Sequence, residues 1–288
     1  MQTAFGITLD ALAYGMVLFI ISIGLSVMMG LMRVINLAHG AFAMVGGYFA
    51  SYATGQLGLG YGAAIVLTLA VSVVVLLPLE VLLYRRIYSA SELIQVLMTV
   101  GITFMIIGLI NFVFGPTMKM IALPAAISGP VDLGLRSVPA HRLFVIACGA
   151  IVATGLWFVI DRTSFGIKLR ATIDNPSMAA ALGVRTEWIY AATFALAVAL
   201  GAFGGVVGAE ILPIEPYYAL RYMVTFLVVV SIGGAGSIQG ALAASLTLGM
   251  VDTVGKYFIP NFGEFFFYLA VVIIVLVRPR GMLGRAHT

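Results

Sequence analysis

Cysteine and charge are the scarcest features of this chain. Its 288 residues include a single cysteine, Cys148, and only 9% are charged. One cysteine cannot pair within the chain, which excludes a secreted disulfide scaffold. Disorder needs high charge and low hydrophobicity, so it is excluded as well. An average soluble domain carries roughly 25% charged residues. With 62% hydrophobic residues and a mean hydropathy of +1.14, a water-soluble fold of this size cannot hide its apolar surface. The composition points to an integral membrane protein. Enzyme signatures are missing too. His39, His141 and His287 are scattered and make no metal-ligand spacing. Neither a G-x-S-x-G elbow nor an H-E-x-x-H pair occurs. The formal charge of +4 is spread out, which gives no footing for a nucleic-acid partner. Met1–Asp10 lacks the basic region of a cleavable signal. The first apolar run is therefore expected to remain as a helix. Gln2 and the Arg-Ala-His-Thr ending match no lipidation motif.

What is present is a series of long apolar runs. A spanning helix needs about 20 mostly apolar residues. Residues 11–32, 93–114, 143–160 and 188–209 each fit one crossing. The charge-free stretch 34–79 fits two, with Gly55, Gly58 and Gly60 at the turn. The run 222–251 is broken by Gly233-Gly234-Ala235-Gly236, and a short aromatic-rich span covers 264–277. The expected fold is all-α: one polytopic transmembrane helical bundle of about 8–10 membrane segments, a single domain over residues 1–288. Segments 37–54 and 222–237 are glycine-rich and suit broken or re-entrant backbone.

Ten of the fifteen Lys and Arg residues fall on one side if Arg33, Arg85, Arg86, loop 161–187 and the C-terminal tail share it. The positive-inside rule makes that side cytoplasmic, with the C-terminus inside. Loop 161–187 carries a compact helix signature: Asn175 as N-cap, Pro176 at the first position, Gly183 at the left-handed C′ position. The helix between, Pro176 to Leu182, is too short to be stable alone in water. Its composition (Met178, Ala179, Ala180, Ala181, Leu182) is small and apolar. Such a helix needs cover, either from a docked cytoplasmic partner or from the bilayer and the protein's own spans.

Two glycine-rich segments hold unusual choices. Asn36 and His39 lie three apart, so on a helix they share a face. Polar groups at membrane depth usually face the interior or a cavity, but near an interface they only cap. Gly40, Gly46 and Gly47 suit close helix packing. The second segment runs from Ser231 to Gly240. It lacks the Lys and Ser/Thr of a Walker A sequence, which argues for a helix break and against nucleotide binding. Gly40-Ala41-Phe42-Ala43 resembles Gly240-Ala241-Leu242-Ala243, a hint of two related halves. Carboxylates inside spans are few. Glu80 sits near Arg85, Asp252 lies four residues before Lys256, and Glu210 and Glu215 fall in a short outer loop. All four read as interfacial, paired or solvated. With no buried acid relay, the energy source is expected outside this chain.

Four runs then resemble one family in its order. GLMRVINLAHGAFAMVGGYFA (30–50), RTSFGIKLRATIDNPSMAAALGV (162–184), GGAGSIQGALAASLTLG (233–249) and VRPRGMLG (277–284) are similar to segments of LivH-type permeases of branched-chain amino acid ABC importers. The resemblance implies a non-enzymatic permease working by alternating access in a bacterial inner membrane. It implies a homologous second permease (LivM-like), two cytoplasmic ATPases (LivG-like and LivF-like) that bind the ATP and Mg, and a periplasmic solute-binding protein. This chain itself would bind no cofactor. Asn175, Pro176, Met178, Ala179, Ala180, Leu182 and Gly183 become the ATPase-coupling helix. Asn36, His39, Gly40, Ser231, Gly233, Gly234 and Ser237 become candidates for the translocation path or a helix break. Related permeases carry other amino acids, amides, urea or aromatic acids, and an ion-coupled secondary transporter is a further alternative.

Overall fold

A computed structural model describes residues 2–88, 90–132, 134 and 137–277. Each apolar run forms a helix, and the runs expected to hold two form two. In chain order these are α1 (Gln2–Leu31), α2 (His39–Gly55), α3 (Tyr61–Leu79), α4 (Glu92–Phe114), α5 (Ala140–Arg162), α6 (Ser164–Asp174), α7 (Pro176–Ala181), α8 (Thr186–Val207), α9 (Tyr218–Gly233), α10 (Ile238–Phe258) and α11 (Gly263–Val277). A short hairpin pairs β1 (Pro130–Asp132) with β2 (Ser137–Pro139) in the loop before α5. The tail arginines Arg278, Arg280 and Arg285, and most of the run 277–284, lie outside the described residues.

α1 is the central post. Every residue from Val17 to Met28 is buried, because this stretch is apolar on all sides and has no polar face to offer water. α5, α8, α9 and α10 pack around it. α2 lies beyond, against α8, α9 and α3. Glycine permits the closest approaches. Gly46 of α2 sits against the Ala202 backbone of α8, and Gly205 of α8 against the Ala43 carbonyl of α2, so a side chain at either position would collide with main chain. The outer helices show the reverse polarity of a soluble protein. Val66 and Val74 on α3, Leu97 and Phe112 on α4, and Ile151 and Phe158 on α5 point away from the bundle. In water each would cost about 25 cal/mol per Å² of exposed apolar surface; in a bilayer that cost vanishes. Among the described residues, five helices are long and apolar enough to cross a membrane: α1, α3 with its extension to Ile87, α4, α5 and α8. α9 and the apolar part of α11 are shorter.

α1 extends further toward the N-terminus than the charge-free run from residue 11. Asp10 lies inside it, because its carboxylate pairs with Arg142 at the start of α5. α3 also runs on, through a π-helical turn at Glu80–Tyr84 and a last turn at Arg85–Ile87. Pro78 lacks the N–H of a regular helix and precedes this wider turn.

Two reversals set the architecture. After α1 ends, Arg33 takes a left-handed φ of +54°, a conformation that costs a non-glycine residue roughly 1–2 kcal/mol. The chain then doubles back without regular structure, and α2 begins at His39, beside Ile21. Ile21 is ten residues before Leu31, about 15 Å back along α1 at 1.5 Å per residue. α2 therefore starts deep inside the bundle. The second reversal is the turn 234–237 between α9 and α10. Gly234 and Gly236 take φ of +90° and +81° there. The Gly236 amide donates to the Ser26 carbonyl (3.1 Å) and hydroxyl (3.0 Å) of α1. Gly30 lies directly against Gly236, so a side chain at Gly30 would collide with main chain, while Gly236 is held to glycine by its left-handed φ. The similar tetrads at 40 and 240 thus each stand near the start of a helix that follows a non-helical stretch packed on α1.

Candidate functional site

The first reversal raises an accounting problem. Backbone amides between two helices at membrane depth need partners, and no water is there to supply them. Polar side chains of this chain do so. The Ile35 amide donates to Gln95 Oε1 (3.0 Å), Leu37 to Thr99 Oγ1 (3.2 Å), and Ala38 to Asn36 Oδ1 (3.0 Å). Asn36 Oδ1 also accepts from the Tyr84 hydroxyl at 2.7 Å, and its amide nitrogen donates to Met28 Sδ at 3.1 Å. His39 Nε2 donates to the Ile21 carbonyl at 2.8 Å, since a carbonyl can only accept. Its ring meets Phe42 edge-on and rests against Gly24 and Gly201. Asn36 and His39 do not share a helix face as their spacing suggests. Asn36 lies in the non-helical stretch, and the two side chains turn to different partners. Both are fully buried within this one chain. Gly40 packs on the Ala219 backbone of α9.

Gln95, Thr99 and Tyr84 escaped the sequence reading, although a signal for two of them exists. Gln95, Thr99 and Thr103 recur every four residues in apolar α4, and all three are buried. A polar stripe of that period marks a face turned toward something polar.

The other helix-break residues divide. Gly233 is buried against Gly240 and Ala241. Ser237 caps α10, its hydroxyl accepting from the Gly240 amide at 3.0 Å. Ser231 is exposed on α9.

Loop 161–187 is a helical hairpin, α6 and α7, where one short helix was expected. Arg170 ties α6 to the end of α5 through the Ile160 carbonyl (2.9 Å) and Asp161 (3.2 Å). α7 has the expected ends. Asn175 Oδ1 accepts from the Met178 amide at 2.9 Å, Pro176 opens the helix, and Gly183 takes φ +84°. The Val184 and Gly183 amides close it onto the Ala179 and Ala180 carbonyls, the Schellman pattern. Ala179 is buried and seats the helix. Met178 (61%) and Leu182 (79%) face out, with Ala180 and Ala181 between them and Trp188 (67%) on the next helix. Behind this surface, Arg85 joins two helices. It pairs with the fully buried Glu80 (3.1 Å) and with Glu187 in the first turn of α8 (2.9 Å). The Tyr88 hydroxyl donates to Glu80 at 3.0 Å.

At the opposite end, α1, α5, α9, α10 and α11 surround a cavity of about 680 Å³. Its wall includes Asp10, Arg142, Glu210, Arg221, Asp252 and Lys256. Lys256 and Asp252 form the expected helical ion pair at 2.7 Å, and Arg221 pairs with Glu215 at 2.8 Å. Among the described residues no group of three or more His, Cys, Asp or Glu side chains is placed to hold a metal.

A helical bundle with apolar side chains facing outward and two chain reversals inside it defines a polytopic membrane protein. More particularly, the chain belongs to the family described as branched-chain amino acid transport system / permease component, whose model matches residues 7–277. It is 25% identical over 281 residues to the high-affinity branched-chain amino acid transport system permease protein LivH of Escherichia coli K12, covering 92% of this chain and 91% of that one. Identity to BraD of Pseudomonas aeruginosa, of the same description, is 25% over 295 residues, covering 96% and 94%. A probable LivH of Methanocaldococcus jannaschii is 24% identical, covering 95% and 90%. No solved structure matches the chain. The resemblance read from the four sequence runs is thereby borne out, and the chain is a transport permease subunit of the ABC-importer kind.

Proposed function

We propose that this chain is the membrane-spanning subunit of an ATP-driven importer for branched-chain amino acids, working by alternating access in a bacterial inner membrane. A homologous permease completes the path, two separate ATPases bind and hydrolyse ATP with Mg, and a periplasmic binding protein delivers the solute. The hairpin α6–α7, Arg33, Arg85 and the C-terminus face the cytoplasm. The observation that carries this reading is the outward apolar face of α7. Its ends are capped, yet among the described residues nothing covers Met178 and Leu182. A rigid, apolar, protruding helix suits docking into a cleft of an ATPase. Arg85 would relay displacement of that helix through Glu187 to α3. Asn36, His39 and Gly40 hold the re-entrant segment in place, and exposed Ser231 and the break at 233–237 border the path.

The test is reconstitution with the neighbouring gene products in proteoliposomes. Saturable uptake of leucine, isoleucine or valine that needs ATP, and survives collapse of ion gradients, is the expected outcome. Uptake driven by an ion gradient with this chain alone overturns the reading. Selective uptake of urea, amides or aromatic acids overturns the substrate.

A further inference from the structure

The cavity at the end opposite the hairpin is unusually rich in charge for this chain. The chain carries 26 charged residues among 288, and six of them line this one cavity. Charge placed among membrane helices is costly and is usually functional. The signs balance: Asp10, Glu210 and Asp252 against Arg142, Arg221 and Lys256. A wall of balanced charge offers little to a plain anion or cation. It suits a solute that carries both signs a few ångströms apart. Between the charges the wall mixes hydroxyl groups, as at Thr225 and Thr253, with partly exposed apolar surface from Ile211 and the rings of Tyr14 and Tyr222. At about 680 Å³, the space falls within the roughly 300–1,000 Å³ of small-molecule sites.

We infer that this cavity is an outer vestibule that receives a zwitterionic amino acid with an apolar side chain before translocation. The inference rests on the proposed function and adds a site to it. The ion pairs on the wall make binding an exchange. A solute carboxylate takes the place of Asp252 beside Lys256, whose side chain is half exposed. The solute ammonium is taken up by the carboxylates, and the branched side chain lies on Ile211 and the rings of Tyr14 and Tyr222. No charge is stripped of a partner at any stage, so the desolvation penalty stays small. The outcome is weak, charge-patterned capture suited to handing a solute onward.

The test uses the complete transporter in membranes. Thr253, on the cavity wall and half-buried, is changed to cysteine in a Cys148→Ala background, and the rate of modification by a charged methanethiosulfonate is followed. Leucine is expected to slow labelling at least threefold. Leucinamide, which lacks the anion, and 4-methylpentanoate, which lacks the cation, should leave it unchanged. Lys256→Gln and Asp252→Asn should each raise the half-protecting leucine concentration at least tenfold, with assembly of the complex as the folding control. Saturable leucine uptake without protection, or equal protection by all three compounds, overturns the vestibule alone. Absence of uptake of any amino acid by the unmodified complex overturns the proposed function and the vestibule together.

Discussion

The segment around residues 33–40 and the hairpin around residues 164–183 break the ordinary rule of burial in opposite directions. In the first, polar side chains and bare backbone are buried; in the second, apolar side chains stand in the open. The first is closed largely on itself, with His39 Nδ1 the one polar side-chain atom of the segment that is buried without a partner among the described residues. Gln95, Thr99 and Asn36 accept from the amides of the reversed chain, and Tyr84 fixes the Asn36 side chain that does so. The second is closed only at its ends. Asn175 and Gly183 finish the helix, but among the described residues nothing covers Met178 or Leu182. The lesson is where to look for the missing partner: within the chain when the buried groups are paired, outside it when the exposed ones are not.

The contrast can be broken most sharply at Ala180. Changing it to Asp puts a charge on the exposed face of α7 and should abolish both ATPase co-purification and uptake. Thermal stability of the isolated chain should move by no more than about 0.5 kcal/mol, the usual range for a surface change. A variant that still binds the ATPases and transports would remove the docking role from this face. Asn36→Leu should behave in the opposite way. It strands the Ala38 amide and the Tyr84 hydroxyl, both buried, and each stranded group costs about 1–3 kcal/mol. Thermal melting in detergent should record a large loss; an unchanged melting temperature would mean the segment is not self-satisfied. Capping sits lower on the scale. Asn175→Ala should cost about 1 kcal/mol, seen as faster hydrogen exchange at the Met178 amide with the rest of the bundle unaffected. The smallest effect is expected from Glu187→Gln, whose carboxylate is largely exposed. Such a pair contributes about 0–1 kcal/mol, so melting should barely change. A drop in ATP-dependent uptake in this variant would sharpen the relay through Arg85.

Much of this could be read in advance, for a physical reason. Apolar run length against bilayer thickness fixes where helices form, and the seven runs became the nine expected helical segments. The caps of α7 were readable because Asn, Pro and Gly each have one preferred place at a helix end. α6 was hidden, since eleven residues with Gly166, Lys168 and Arg170 give no long apolar signal. The relation of Asn36 to His39 failed because a three-residue spacing means a shared face only inside a helix, and the chain turns back between α1 and His39. The vestibule was out of reach. Its charges come from positions as far apart as Asp10 and Lys256, and only the packing of five helices brings them together.

The contact of Gly30 with Gly236 has a mechanical consequence. Main chain meets main chain there, with no side chain between them to change rotamer or slide. The joint has no slack. When the transporter changes shape, the end of α1 and the turn that launches α10 travel as one piece, and the freedom to shear lies elsewhere. It lies where long side chains span the gap, as Arg85 does between Glu80 and Glu187. A methyl group at Gly30 would act as a wedge in a fused joint, felt by α1 and α10 together.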